Sequence, residues 1–259
     1  MPTLFLMYHD ISDDLGLVEP AHQPYVLAPN VFRRQAGSLA RFNLKALTVS
    51  EWCSSPNHTR AVALTFDDGH VSNYETALPI LSEYGLKATF FITAGSIGIG
   101  DTMNWPQIRA LYTAGMEIGS HTLTHRPPST LDDKDLRYEL CESRRILEDG
   151  LGAPVKSISS PTGFFDKRMC QVAREVGYSA LCIGRVGLVP DAGDPYALNR
   201  VAVKRALTHE RFKKLLSFDP LTLLAMRSQQ QLRDLARDTM GVKRYLKIRR
   251  VIFDAISAR

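Results

Sequence analysis

The sequence predicts a parallel α/β fold. Three observations point there. Strand-length apolar runs recur along the chain and alternate with stretches of helical spacing. Several of those runs end directly in short turns that hold the carboxylates and histidines, which is where parallel sheets carry their ligands. The 259 residues, 44% apolar and 23% charged, suffice for one large α/β domain or two small ones. Periodicity alone does not choose a closed barrel over an open sheet.

In chain order, Leu4–Tyr8 is an apolar first strand that ends in Tyr8-His9-Asp10. Residues 13–29 are polar and hold prolines, so they form a loop, with Ser12-Asp13-Asp14 a turn or cap and His22 at the surface. Asn30 begins a helix, with Phe32, Leu39 and Phe42 near helical spacing. Leu47-Thr48-Val49 is a short strand, and 50–60 a polar connection holding an exposed His58. Ala61–Phe66 is an unbroken apolar run, a buried strand closed by Gly69. Residues 73–84 are helical through Ala77, Leu78, Ile80 and Leu81; Pro79 fits only in a first turn, and Gly85 is the stop.

Residues 88–93 form another buried strand, and 95–102 a glycine-rich loop without the phosphate-cradle pattern. A helix starts at Trp105, with Pro106 in its first turn, and stops at Gly115. Residues 116–118 are a strand. Residues 130–147 are the longest helical stretch, with Leu136, Leu140 and Leu147 as its buried stripe. Asp132, Asp133 and Asp135 are first-turn acids favoured by the helix dipole, not metal ligands. Residues 155–159 are a strand, Pro161-Thr162-Gly163 a turn, Lys167–Val176 a helix, 178–183 a strand and 200–203 the last strand.

Two stretches carry chemistry. Asp67-Asp68-Gly69 puts adjacent carboxylates at a strand end, where the turning chain lets both reach one site. Like charges that close stay ionised when a cation joins them, although Asp-Gly is also an ordinary turn pair. His121 and His125 follow another strand, four residues apart; on a helical turn that spacing puts both imidazoles on one face. A carboxylate plus two histidines leaves coordination positions open, the composition of a catalytic rather than a structural centre.

Thr65-Phe66-Asp67-Asp68-Gly69 and His121-Thr122-Leu123-Thr124-His125 resemble, in order and spacing, the first two motifs of the polysaccharide deacetylases (carbohydrate esterase family 4, the NodB-homology domain). Ala77-Leu78-Pro79-Ile80-Leu81, Lys87-Ala88-Thr89-Phe90-Phe91-Ile92 and residues 111–120 share the likeness, which spans residues 4–203. The resemblance implies a distorted (β/α) barrel of about seven parallel strands. It implies a metal-dependent hydrolase that removes N-acetyl groups from the amino sugars of a polysaccharide or its precursor. Asp68, His121 and His125 then hold a divalent metal, zinc by default, with cobalt, nickel or iron as alternatives. Such a metal draws a water pKa from roughly 9 toward about 7, and Asp67, left off the metal, takes the water's proton.

Pro161-Thr162-Gly163 aligns with the family's proline, aromatic, glycine turn. The Thr162 N–H is thereby the matched oxyanion donor, with Pro161 and Gly163 beside the substrate. The arginine that often precedes that proline is Ser159 here, and the aromatic is Thr162. Arg200 is the candidate to orient the base in its place, or else a structural salt bridge. The family's C-terminal leucine-x-histidine motif is absent, and His209 starts a helix. Certain exopolysaccharide deacetylases of this type have a permuted motif order, with an N-terminal histidine in its place; His9 is therefore the expected general acid. Competing readings are an amidohydrolase acting on a small amide and a catalytically silent carbohydrate-binding or assembly protein on the same fold.

The net charge is +5 and the pI near 9.0. Lysine and arginine concentrate after Arg200, without any nucleic-acid motif, so nucleic acid is not an expected partner. The organisation expected is a catalytic barrel over residues 1–208 and a basic helical extension over 209–259, packed on the barrel or a partner. A membrane surface or lipid-linked substrate is the sharper alternative for that extension. Cys53, Cys141, Cys170 and Cys182 have no C-x-x-C spacing and read as free thiols of a reducing compartment. The N-terminus lacks a basic region and a long apolar stretch, and the chain has no run of eighteen apolar residues. The expectation is a cytoplasmic protein, with peripheral membrane association as the variant.

Overall fold

The computed structural model describes residues 1–16, 18–55, 60–163 and 165–240. In chain order the elements are β1 (Leu4–Tyr8), α1 (Pro29–Arg41), β2 (Lys45–Leu47), α2 (Val49–Ser54), β3 (Ala61–Phe66), α3 (Leu78–Glu83), β4 (Thr89–Ile92), α4 (Trp105–Thr113) and β5 (Glu117–Ser120). There follow α5 (Asp133–Leu151), β6 (Ser157–Ser159), α6 (Lys167–Val176), β7 (Ala180–Ile183), β8 (Leu198–Asn199), β9 (Val201–Ala202), α7 (His209–Leu216) and α8 (Pro220–Met240).

All pairings between these strands are parallel, in the order β8-β7-β6-β5-β4-β3-β1-β9. β1 takes one edge of β3; β2 pairs with the first half of β3 and β4 with its last two residues. Arg200 is the one residue between β8 and β9. Since β8 pairs with β7 and β9 with β1, a single broken strand joins the two ends of the sheet. The nearly closed ring thus has seven staves, if β8 and β9 count as one. That is the distorted (β/α) barrel.

Strand alternation sorts the side chains into two cores. Leu4, Leu6, Tyr8, Val62, Leu64 and Phe66 pack outward under the helices. Phe5, Ala61, Ala63, Phe91, Cys182 and Leu198 fill the barrel. The floor is polar: Glu117 accepts hydrogen bonds from the Ser50 N–H (2.9 Å) and from the hydroxyls of Ser50 (2.7 Å), Thr89 (2.9 Å) and Ser157 (2.6 Å). It thereby ties the start of α2 to β4, β5 and β6.

Several local expectations are corrected. Thr48 caps α2 rather than lying in a strand, because its hydroxyl and the Glu51 carboxylate form a reciprocal capping box. Residues 73–84 open with a wide π turn, Asn73–Ala77, before α3, where Pro79 lies in the first turn and its missing N–H costs nothing. α5 starts at Asp133, since the Asp132 carboxylate accepts the Asp135 N–H at 2.8 Å, and Pro128–Thr130 form a separate 3-10 turn. α8, with 21 residues, is longer than the 19-residue α5. β8 has only two residues, too few for a sequence pattern.

Of the extension, α7 buries Phe212, Leu215 and Leu216, and α8 lays Leu223 and Met226 against the same core. Residues 241–259 lie outside the described residues, as does His58, so the membrane-surface reading of the basic tail falls largely outside them too. Among the described residues no helix is long and apolar enough to cross a membrane.

Candidate metal and catalytic centre

β3 delivers the carboxylates. Asp67 continues its inward-facing row, and its N–H donates to the Tyr8 carbonyl at 3.0 Å. Asp68 takes a left-handed conformation, φ 73°, followed by Gly69 at 79°. That break in the strand's alternation lets two consecutive side chains face one barrel mouth.

β5 delivers the histidines, but not on a helical turn. Thr122 and His125 have φ of 65° and 58°, so the expected helical geometry gives way to a tight loop. The buried Glu139 of α5 holds that loop. Its carboxylate accepts the N–H groups of Leu123 (3.0 Å) and Thr124 (2.8 Å) and also the Thr124 hydroxyl. His121 donates its backbone N–H to the Ile92 carbonyl at 2.8 Å, and its Nδ1 lies 3.0 Å from the Ser159 carbonyl. That second contact assigns the proton to Nδ1 and leaves Nε2 as the free donor atom.

Asp68 Oδ1 lies 3.3 Å from His121 Nε2 and 3.4 Å from His125 Nε2, and one donor atom from each of the three residues falls within a 4.8 Å cluster. One oxygen and two imidazole nitrogens around a common point fit a zinc-class divalent cation.

Asp67 is held differently. It is 2% exposed and accepts Arg200 Nη1 at 2.7 Å on Oδ1 and Nη2 at 2.8 Å on Oδ2. Arg200, fully buried, also donates to Ser159 Oγ (2.7 Å) and Thr65 Oγ1 (3.1 Å), and the Ser159 hydroxyl donates to Asp67 Oδ2 at 3.2 Å. The second Asp67 oxygen still faces the centre, 4.0 Å from His121 Nε2. A carboxylate oxygen has lone pairs for both tasks.

The electrostatics favour a cation. Burial would raise both Asp67 and Asp68. For Asp67 the charge of Arg200 and then that of His121 outweigh it; for Asp68 the hydrogen bond from His121 and the charge of His9 do so. Both carboxyls are held below their usual range. Burial would lower His121, but the charge of Asp67 and the hydrogen bond to Asp68 raise it. His125 is pushed down to about 4 by burial and by the neighbouring His121. Two ionised acids that raise His121 make a negative pocket, the electrostatic setting that suits a cation.

His9 is half-buried, its ring 4.7 Å from that of Tyr25 and its carbonyl accepting Asn73 Nδ2 at 2.8 Å. Its Nδ1 is buried with no hydrogen-bond partner among the described residues. Burial lowers its pKa, while the charges of Asp68 and Asp67 pull it part of the way back up. Pro161–Gly163 is a 3-10 turn just past β6, with Thr162 exposed at φ 61°. Sequence reasoning missed Glu139, Ser159 as a ligand of both Asp67 and Arg200, and His70, whose Nδ1 lies 3.9 Å from Asp10. A buried acid in a helix pattern was the only signal for the first.

The family model for polysaccharide deacetylases matches residues 54–181. The Bacillus subtilis (strain 168) protein named "Putative polysaccharide deacetylase YxkH" is 29% identical over 80% of this chain and 73% of its own length. The peptidoglycan-N-acetylglucosamine deacetylase of Bacillus cereus is 29% identical over 49% of this chain, a match that spans 57% of that protein. The solved Streptococcus pyogenes deacetylase PplD, in complex with acetate, superposes with a TM-score of 0.76 at 24% identity, over 85% of this chain and 99% of that one; at that identity the likeness speaks for the fold. With its Asp-Asp and His-x-x-x-His segments converging inside it, the region spanning residues 54–181 belongs to the polysaccharide deacetylase family.

Proposed function

We propose that this protein is a metal-dependent hydrolase that removes N-acetyl groups from the amino sugars of a polysaccharide or its precursor. One observation carries the reading. Asp68, His121 and His125 converge, while the adjacent Asp67 is kept ionised and off that cluster by Arg200. The named substrate of the Bacillus cereus relative supports N-acetylglucosamine as the sugar.

A divalent cation bound by Asp68, His121 and His125, zinc by default, supplies Lewis acidity for water and for the acetamide carbonyl. The rest falls to the chain's own groups. Asp67, its carboxyl held down by Arg200, stays an acceptor at neutral pH and takes the proton of the attacking water. As the carbonyl carbon becomes tetrahedral, its oxygen gains charge, and the Thr162 N–H donates to it. Pro161 and Gly163 fix that amide's direction. His9 gives a proton to the departing sugar amine, so acetate and the free amine leave. The arginine missing before Pro161 is replaced by Arg200, which bonds Asp67 directly, with Ser159 bonded to both.

The test pairs metal analysis with acetate release from acetylated chito-oligomers. Asp68→Ala and His125→Ala are expected to lose metal and turnover together. Asp67→Asn is expected to keep a full complement of metal and lose turnover at least a hundredfold, the scale of general-base catalysis, roughly 10²–10⁴. Parental turnover in Asp67→Asn would remove the base, and full metal content in Asp68→Ala would remove the centre.

A further inference from the structure

A side chain of α8 holds backbone that abuts Gly163. Gln230 of α8 makes two hydrogen bonds to a single stretch of backbone after β7. Its Oε1 accepts the Val186 N–H at 2.7 Å, and its Nε2 donates to the Gly184 carbonyl at 2.6 Å. A side-chain amide that satisfies one donor and one acceptor two residues apart fixes those peptide planes as a neighbouring strand would.

The same three residues face the site on their other edge. The Gly184 N–H donates to the Gly163 carbonyl at 2.9 Å, and the Arg185 carbonyl accepts the Arg200 N–H at 3.0 Å. The Gly163–Gly184 approach is so close that a Cβ on either residue would lie 2.8 Å from the other's Cα. Gly163 follows Thr162, the oxyanion donor, and Arg200 is the ion-pair partner of Asp67. A displacement of residues 184–186 therefore moves both the donor turn and the backbone that carries Arg200.

We propose that Gln230 is a positioning residue for catalysis: by clamping Gly184 and Val186 it sets the oxyanion turn at Gly163 and the seat of Arg200. The inference rests on the roles proposed for Thr162 and Asp67. It makes α8 a working part of the catalytic unit, not an appended tail. Gln230 spends its hydrogen bonds on Gly184 and Val186, not on Asp68, His121 or His125, so metal affinity is expected to survive its loss.

The experiment compares the full-length, metal-loaded parent with Gln230→Ala, Gln230→Glu and, as a neighbouring exposed control, Gln231→Ala. Gln230→Ala is expected to lower kcat for acetate release at least tenfold, with KM and metal affinity within twofold of the parent. Hydrogen exchange is expected to rise in peptides covering residues 161–163 and 184–186. Gln231→Ala should match the parent throughout. Gln230→Glu supplies a readout that a merely structural role would not move. Its ionised carboxylate accepts from Val186 but repels the Gly184 carbonyl, whereas the protonated acid restores a donor. Its activity relative to the parent is therefore expected to climb as pH falls from 7 toward 4, through the ordinary glutamate range near about 4.3.

Parental kcat and parental exchange in Gln230→Ala, or a flat Gln230→Glu to parent ratio across that pH range, would overturn the coupling. Exchange decides it even if Gln230→Ala is too unstable for kinetics at high temperature, since Gln230→Glu is measured alongside. If instead Asp67→Asn retains turnover, the assignment of the base fails, while the exchange data still decide whether Gln230 holds the turn.

Discussion

Arg200→Met is the substitution the geometry makes most informative. It keeps the side chain's length and apolar stem but removes four hydrogen bonds, two to Asp67 and one each to Ser159 and Thr65. Both partners of the ion pair are buried, so the loss leaves Asp67 as an uncompensated charge in the barrel. Removing one partner of a buried pair costs roughly 3–5 kcal/mol. At about 2–4 °C per kcal/mol for a chain of this size, Tm should fall by about 6–20 °C.

The pH dependence follows from the Asp67 carboxyl. In the parent Arg200 holds it below the ordinary carboxylate value, so the pair's contribution is complete above about pH 4 and fades only as pH falls through the depressed value. In Arg200→Met burial dominates and raises the same carboxyl. That carboxyl then favours the folded state only while protonated, and the advantage is lost as pH rises through the raised value. The Tm gap between parent and variant is therefore expected to widen from pH 5 to pH 8. Scanning calorimetry at both pH values measures it, with Asp67→Asn/Arg200→Met as the second arm. Removing both charges should cost less than Arg200→Met alone, because no isolated charge remains. A variant whose Tm stays within about 2 °C of the parent, the range of a surface substitution, would refute the argument. So would a double variant at least as unstable as the single one.

Two further outcomes are expected. His9→Ala should lower kcat and flatten the alkaline limb of its pH profile; because burial lowers this imidazole, that limb should begin on the acid side of an ordinary histidine, and an unchanged profile would rule out the acid assignment. Glu117→Ala leaves four donors at the barrel floor without an acceptor; with water replacing part of the loss, about 3 kcal/mol and a Tm lower by about 6–12 °C are expected, while metal content and kcat per folded molecule stay at the parent's values.

The acid–imidazole cluster was legible in the sequence because its members lie in the segments that follow β3 and β5, and a parallel sheet gathers strand ends at one mouth. Asp68, His121 and His125 needed only that rule, and their motifs supplied the pairing. The helical spacing suggested for the two histidines was misleading, because Thr122 and His125 take positive φ: threonine does not mark that conformation, and histidine, though enriched in it, adopts it in only a minority of cases. The role of Arg200 was legible only as one of two alternatives, since nothing in its neighbourhood shows that a two-residue β8 and a two-residue β9 flank it and close the ring. Local sequence records hydrophobic period, caps and turns, and those placed most strands, α6 and the acid–imidazole set. What links residue 67 to 200, 123 to 139 and 184 to 230 is the order of the strands and the packing of α5 and α8. Contacts across such separations depend on where whole elements come to rest, so only the tertiary structure decided which side chain pairs with Asp67, which holds the histidine loop and which bonds the backbone at residues 184–186.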